Sequence, residues 1–275
     1  MAEEAVDTPS PAEAPVSRRA RKAKPKRTWK WWLANLMIVA GVLLLAYPLG
    51  TWAYTWFVQR ELRQELAAGD PGFALAAAAL EAGGFTPATS PPATDPPGAV
   101  DPAAAAAAAA EAARLAELAA FKAAADEFAA SVKGRPGTPI GKIVIPAIGV
   151  DVVAVEGVAG RDLREGPGHW PETPFPGQGG HFIVSGHRTT YGAPFRKLNQ
   201  VEVGDAIYLV LPYGVAKYEV TKVIIVYPRD MKDVDISRTE KISLAACHPI
   251  YSARQRIVVQ GDLVAFKVVK ETSAP

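Results

Sequence analysis

Cysteine is almost missing from this chain. Cys247 is the only one among 275 residues, which excludes an internal disulfide and leaves two roles for its sulfur, a small buried hydrophobe or a nucleophile. Histidine is also scarce. None of the pairs drawn from His169, His181, His187 and His248 has the helical or knuckle spacing of zinc ligands, and no acidic cluster suggests calcium, so neither a metal nor a cofactor is expected. Acidic residues are missing from Arg18 to Lys30, and charge is nearly missing from Trp31 to Val58. No small-x-small cleavage site follows that apolar stretch, which favours an uncleaved anchor over a signal peptide.

The overall charge of +2 conceals this local asymmetry, since eight Lys and Arg residues lie between Arg18 and Lys30. Alone, such a block suits nucleic acid. Followed at once by an apolar stretch, it reads as the flank of a membrane span, and no nucleic-acid partner is expected. A helix of about 26 residues rising about 1.5 Å each crosses a hydrocarbon core of about 30 Å. Trp29, Trp31 and Trp32 at one end and Trp52, Tyr54 and Trp56 at the other resemble interfacial belts, and Pro48 marks a kink or the outer end. The excess of cations before the span places residues 1–30 in the cytoplasm, the anchor at 31–58 and the remainder outside the cell.

Residues 59–136 read as an extracellular stalk. Arg60 to Leu66 and Phe73 to Ala82 suit helices, the Pro/Thr/Ala-rich stretch from Thr86 to Pro102 an extended linker, and Ala103 to Val132 an alanine-rich spacer helix. The unit at 137–275 differs. Its apolar runs are short and β-branched: Ile140 to Ile145, Val150 to Val155, His181 to Ser185, Ala206 to Leu211, Lys217 to Val226, Lys241 to Ala246 and Arg256 to Val269. Glycine and proline punctuate them, with Pro212-Tyr213-Gly214 as a hairpin turn, and an all-β sandwich or closed barrel follows.

Within that unit Cys247 ends one apolar run, His187 follows another, and Arg254 and Arg256 come just after the cysteine. An amide carbonyl under attack needs a nucleophile, a proton for the departing amine and a donor for the oxyanion. An ordinary thiol titrates near about 8.5 and is mostly protonated at neutral pH, so a nucleophilic sulfur gains from a nearby cation. Thiol, imidazole and guanidinium supply all three needs. Arg254 and Arg256 are two apart and share a strand face, so alternation does not choose between them.

Gly166-Pro167-Gly168-His169-Trp170-Pro171, Ser185-Gly186-His187-Arg188-Thr189-Thr190-Tyr191, Cys247-His248-Pro249 and Arg254-Gln255-Arg256-Ile257-Val258-Val259 together resemble the sortase family, and its class E most closely. The resemblance implies a closed eight-stranded β-barrel with short helices, carried on the anchor and stalk. It implies a membrane-bound cysteine transpeptidase of Gram-positive, typically actinobacterial, envelopes. Such an enzyme takes secreted proteins bearing a Leu-Ala-x-Thr-Gly or Leu-Pro-x-Thr-Gly sorting signal and joins them to an amine of a peptidoglycan precursor or a pilin. By the same resemblance His187, Cys247 and Arg256 are the catalytic residues, Arg256 being chosen by its place before Ile257-Val258-Val259. Ala246, Thr189, Tyr191 and His248 are the expected substrate contacts, while His181 and His169 take structural roles.

One departure stands out. The family usually places threonine directly before its nucleophile, and this chain has Ala246. The missing hydroxyl motivates a second reading, a catalytically weak or inactive scaffold on the same barrel. A transpeptidase acting on wall crosslinks is a third, disfavoured because the segment before Cys247 is apolar.

Overall fold

The computed structural model describes residues 28–89, 102–233 and 239–269. The basic block up to Arg27 and most of the expected linker lie outside them. The chain divides into two units, Met1–Leu44 and Leu45–Pro275. Helix α1 (Trp29–Gly69) begins in the first, where its leucine, isoleucine and valine side chains are exposed. Among the described residues it is the one helix long and apolar enough to cross a membrane. Pro48, expected as a kink or an end, lies inside α1, which runs on to Gly69.

The second unit is built on a barrel. Strands β2 (Pro139–Ile145), β3 (Val150–Glu156), β4 (Gly168–His169), β5 (His181–Gly186), β6 (Ala206–Leu211), β7 (Gly214–Val226), β8 (Lys241–His248) and β9 (Gln255–Val268) pair in the order β9-β7-β6-β2-β3-β4-β5-β8. A further β8–β9 pairing closes the ring, so the expected eight-stranded barrel is present. A two-residue strand, β1 (Thr86–Pro87), adds to β9 beyond the ring. Pro212 and Tyr213 turn the β6–β7 hairpin between the paired Leu211 and Gly214.

Alternation along these strands sends Ile143, Phe182, Val184, Leu209, Leu244 and Val259 into one core. The opposite faces are apolar too, because helices cover them. Leu62 and Leu66 of α1, with Phe73 and Ala76 of α2 (Pro71–Ala82), bury Val153 and Val155 of β3, Val210 of β6 and Val215 of β7. Burying such side chains stabilises by about 1.5–3 kcal/mol apiece. Asp70 caps α2 by accepting from the Gly72 amide at 2.8 Å.

Gln59 fixes α1 to the barrel. Its amide donates to the Val153 carbonyl at 3.0 Å and the Glu165 carbonyl at 2.8 Å, and its oxygen accepts from the Val153 amide at 2.8 Å. Pairing of β3 with β4 begins only at Val155, so the side-chain amide occupies a rung that no strand fills. Gly166 permits the approach, since a Cβ there would lie 2.5 Å from the Val153 carbonyl oxygen and 2.9 Å from Gln59 Nε2.

Helix α3 (Pro102–Val132), read from the sequence as a spacer, packs into the barrel core. Phe121 is fully buried, its ring stacked on Phe266 at 5.2 Å and tilted on Tyr213 at 5.3 Å. Within residues 59–136, expected as a stalk, Leu62, Leu66, Phe73, Ala76, Phe121, Ala125 and Val132 thus contribute side chains to the folded unit. The reason is visible in the sequence: alanine-rich helices offer little contrast between faces, so their period reveals a helix without revealing its partner. Phe121→Ala should destabilise the chain by about 3–5 kcal/mol, whereas the half-exposed Leu115→Ala should stay within about 0.5 kcal/mol. Chemical denaturation checks this, and equal, small effects would contradict the docking of α3.

Candidate active site

Neighbouring rungs bring the expected catalytic trio together. In the antiparallel β8–β9 pair Cys247 stands opposite Arg256, and in the parallel β5–β8 pair Gly186 stands beside Ala246, so the next residue, His187, falls beside Cys247. Ile242, Leu244 and Ala246 of β8, and Ile257 and Val259 of β9, point to the core. Cys247 and Arg256 therefore point out. Cys247 is half-buried and accessible. Beside it on the outer face, Ala245 and Val258 pack with Met231, Trp170, Ile224 and Val226 into a small apolar floor.

The two arginines that alternation leaves equivalent are separated by the chain path. Arg254 lies before β9, exposed in the turn, while Arg256 is within the strand and half-buried. Arg256 Nη1 donates to the Ala253 and Gln255 carbonyls, both at 2.9 Å. That fixes one arm of the guanidinium against the turn. Its Nε and Nη2 make no hydrogen bond to protein among the described residues, which leaves donors for a ligand.

His187 sits at the start of a loop whose residues Tyr191, Gly192 and Ala193 all have positive φ, at 49°, 71° and 46°. A Cβ on Gly192 would meet the Thr55 side chain at 2.7 Å, so glycine lets this loop close on α1. The Tyr191 ring lies 5.1 Å from the His187 ring and 6.4 Å from that of Tyr54. Tyr191 thus packs the imidazole from the side of α1. Burial first, and then the charge of Arg164 on helix α4 (Asp162–Glu165), push the His187 pKa below its ordinary value. The neutral imidazole persists over a wider pH range as a result.

The other histidines are engaged elsewhere. His169 is buried, with Nδ1 at 2.7 Å from Glu156 and Nε2 at 3.0 Å from the Thr173 hydroxyl. His181 is buried against the Ser243 hydroxyl at 2.8 Å. His248 Nδ1 accepts from Arg188 at 2.9 Å, which places the ring proton on Nε2. Thr189 is half-buried in the loop after His187. Ala246 corrects an expectation: only 3% exposed, it faces the core and is not brought to the outer surface, because the strand period of two that turns Cys247 outward turns its neighbour inward.

Arg188 is the residue that sequence reasoning passed over. Only 4% exposed, it donates to the Cys247 carbonyl at 3.2 Å and to Asn199 Oδ1 at 2.6 Å as well as to His248. Among the described residues it makes no ion pair. Its guanidinium ties the His187 loop to the end of β8 through neutral acceptors. The signal was its place directly after His187, in the segment that follows β5.

The model of the Sortase domain family matches residues 143–264. Sortase D of Bacillus subtilis (strain 168) is 33% identical over 139 residues, covering 49% of this chain and 69% of the relative. The chain belongs to the sortase family. Sortase SrtE1 of Streptomyces coelicolor is 28% identical over 146 residues, covering 47% of this chain and 42% of the relative. Among solved sortase structures, that of sortase E from Streptomyces avermitilis is 28% identical with a TM-score of 0.45, over 50% of this chain and 95% of that one. The sortase match starts inside β2 and ends inside β9. Helices α1 to α3, which pack on the barrel, lie before it.

Arg164→Gln removes a charge that opposes the imidazolium, so the titration midpoint of His187 should rise toward its ordinary value. An NMR titration of the His187 ring proton checks the direction. A midpoint that falls, or stays in place, would contradict the assignment of Arg164 as a contributor.

Proposed function

We propose that this sortase is a membrane-anchored cysteine transpeptidase of class E type, acting outside the cell on secreted proteins with a Leu-Ala-x-Thr-Gly-like signal. The observation that carries the reading is the shared face of Cys247, its cross-strand partner Arg256, and His187 on the next rung. The Cys247 sulfur attacks the carbonyl carbon of the signal, and the oxyanion that forms is met by the free guanidinium N–H groups of Arg256. Imidazolium at His187 gives its proton to the departing amine, the carbon–nitrogen bond breaks, and a thioester remains. Imidazole then takes a proton from the incoming amine as that amine displaces the sulfur. The acceptor is an amine of a peptidoglycan precursor or a pilin.

The apolar floor of Ala245, Val258, Trp170 and Met231 beside the sulfur suits the leucine and alanine of such a signal. Thr189, Tyr191 and His248 flank the trio and are the side chains we assign to contacts with the bound peptide. Arg18 to Lys30, preceding the apolar part of α1, argue for a cytoplasmic N-terminus and an exported barrel. The scaffold reading drew on the hydroxyl missing at Ala246, and that side chain faces the core, so its motive is weak.

Incubating the full chain in detergent with a Leu-Ala-x-Thr-Gly peptide and a diaminopimelate-type amine should give a transpeptidation product that Cys247→Ala abolishes. Arg256→Ala should reduce kcat by about 10²–10³, the cost of losing an oxyanion donor, and Arg254→Ala should stay within a few-fold. A product that survives Cys247→Ala, or a reversed ranking of the arginines, would overturn the reading.

A further inference from the structure

One well-formed concavity lies away from Cys247, which is not among its lining residues. A groove of about 860 Å³ runs between residues 52–67 of α1, the start of β3 and the loop 191–197 that follows His187. Trp52, Trp56, Ile148 and Pro194 give it apolar walls, and four cations, Arg60, Arg63, Arg196 and Lys197, stand on its lining against one carboxylate, Asp151. That carboxylate is already engaged, by Arg63 at 3.0 Å and Lys142 at 3.1 Å. Among the described residues, Arg60, Arg196 and Lys197 make no ion pair. Arg60 rests over the Trp56 ring, 5.9 Å from its centroid.

We infer that this groove binds an anionic phospholipid of the membrane that α1 enters, with the phosphate held by Arg60, Arg196 and Lys197 and an acyl chain laid along Trp52 and Trp56. The inference rests on α1 being an anchor, which is part of the proposed reading, and on nothing in the transpeptidase chemistry. Charge complementarity and depth select the occupant. The indoles belong to the end of the expected span at 31–58, and Arg60 follows Trp56 by one helical turn, about 5–6 Å. A headgroup layer on one side of a bilayer is about 5–8 Å thick, so cations and indoles stand where phosphate and upper acyl chain meet. A soluble anion would use the cations and leave both indoles wet; a neutral lipid would use the indoles and leave three cations without a counter-charge. Because the loop 191–197 forms one wall, the bound lipid would also brace the segment that carries His187.

The test uses the full chain. Resistance of the membrane-expressed protein to alkaline carbonate extraction establishes the anchor independently, and release would overturn the anchored reading and the lipid site together. Native mass spectrometry of the chain from mild detergent with equimolar phosphatidylglycerol and phosphatidylcholine should then show phosphatidylglycerol retained at least tenfold over phosphatidylcholine. The triple variant Arg60→Gln, Arg196→Gln, Lys197→Gln, which changes only exposed side chains, should lose that adduct. A variant with Gln at the eight cations from Arg18 to Lys30 should keep it. Equal retention of the two lipids, survival of the adduct in the triple variant, or its loss only on neutralising the N-terminal block would each overturn the proposal.

Discussion

Everything at the site depends on the register of β8 against its two neighbours. A strand places alternate side chains on opposite faces, and residues sharing a rung share a face. Cys247 opposite Arg256, and His187 one step past the Gly186–Ala246 pair, therefore reach the same surface. A slip of one residue on either side would drive a partner of the sulfur into the core. Register is held by what lies beneath: Ile242, Leu244, Val259 and Phe182 fill the barrel, and turning them outward would expose that apolar surface.

Closure of the ring gives the rung its rigidity. Strand β9 pairs with β7 along twelve residues and with β8 along eight, so the strand bearing Arg256 is bonded on both sides at the site. Arg188 adds a tie from within, joining the loop after β5 to the Cys247 carbonyl and to Asn199. A nearly buried cation satisfied by neutral acceptors keeps its desolvation cost. Its hydrogen bonds locate both the Cys247 backbone and the His248 ring beside it.

Much of this was legible in the sequence, for reasons that differ by element. The run Ala206 to Leu211 is β6 to the residue, and Lys241 to Ala246 is β8 short of its last two, because β-branched and apolar runs between turn residues mark buried strands. Gly168–His169 carries no such signal, as two residues have no period. Residue types and motif resemblance together pointed to Cys247, His187 and Arg256, the resemblance preferring Arg256 to Arg254, and the chain path places Arg254 before the strand and Arg256 within it. The packing of α1, α2 and α3 was not legible. A helical period marks a face without naming what it packs against, and contacts such as Gln59 with Val153, 94 residues away, leave no local trace.

The most direct test of the shared rung is a disulfide trap between β8 and β9. Directly opposed strand residues have Cα atoms about 4.5–5.5 Å apart, within the range of about 4.4–6.8 Å that a disulfide bridges. Under mild oxidation, Arg256→Cys should close onto Cys247 and show the loss of two hydrogens by intact mass, while Arg254→Cys should leave Cys247 free for alkylation. Closure by the 254 variant with the 256 variant remaining open would contradict the register on which the site is built.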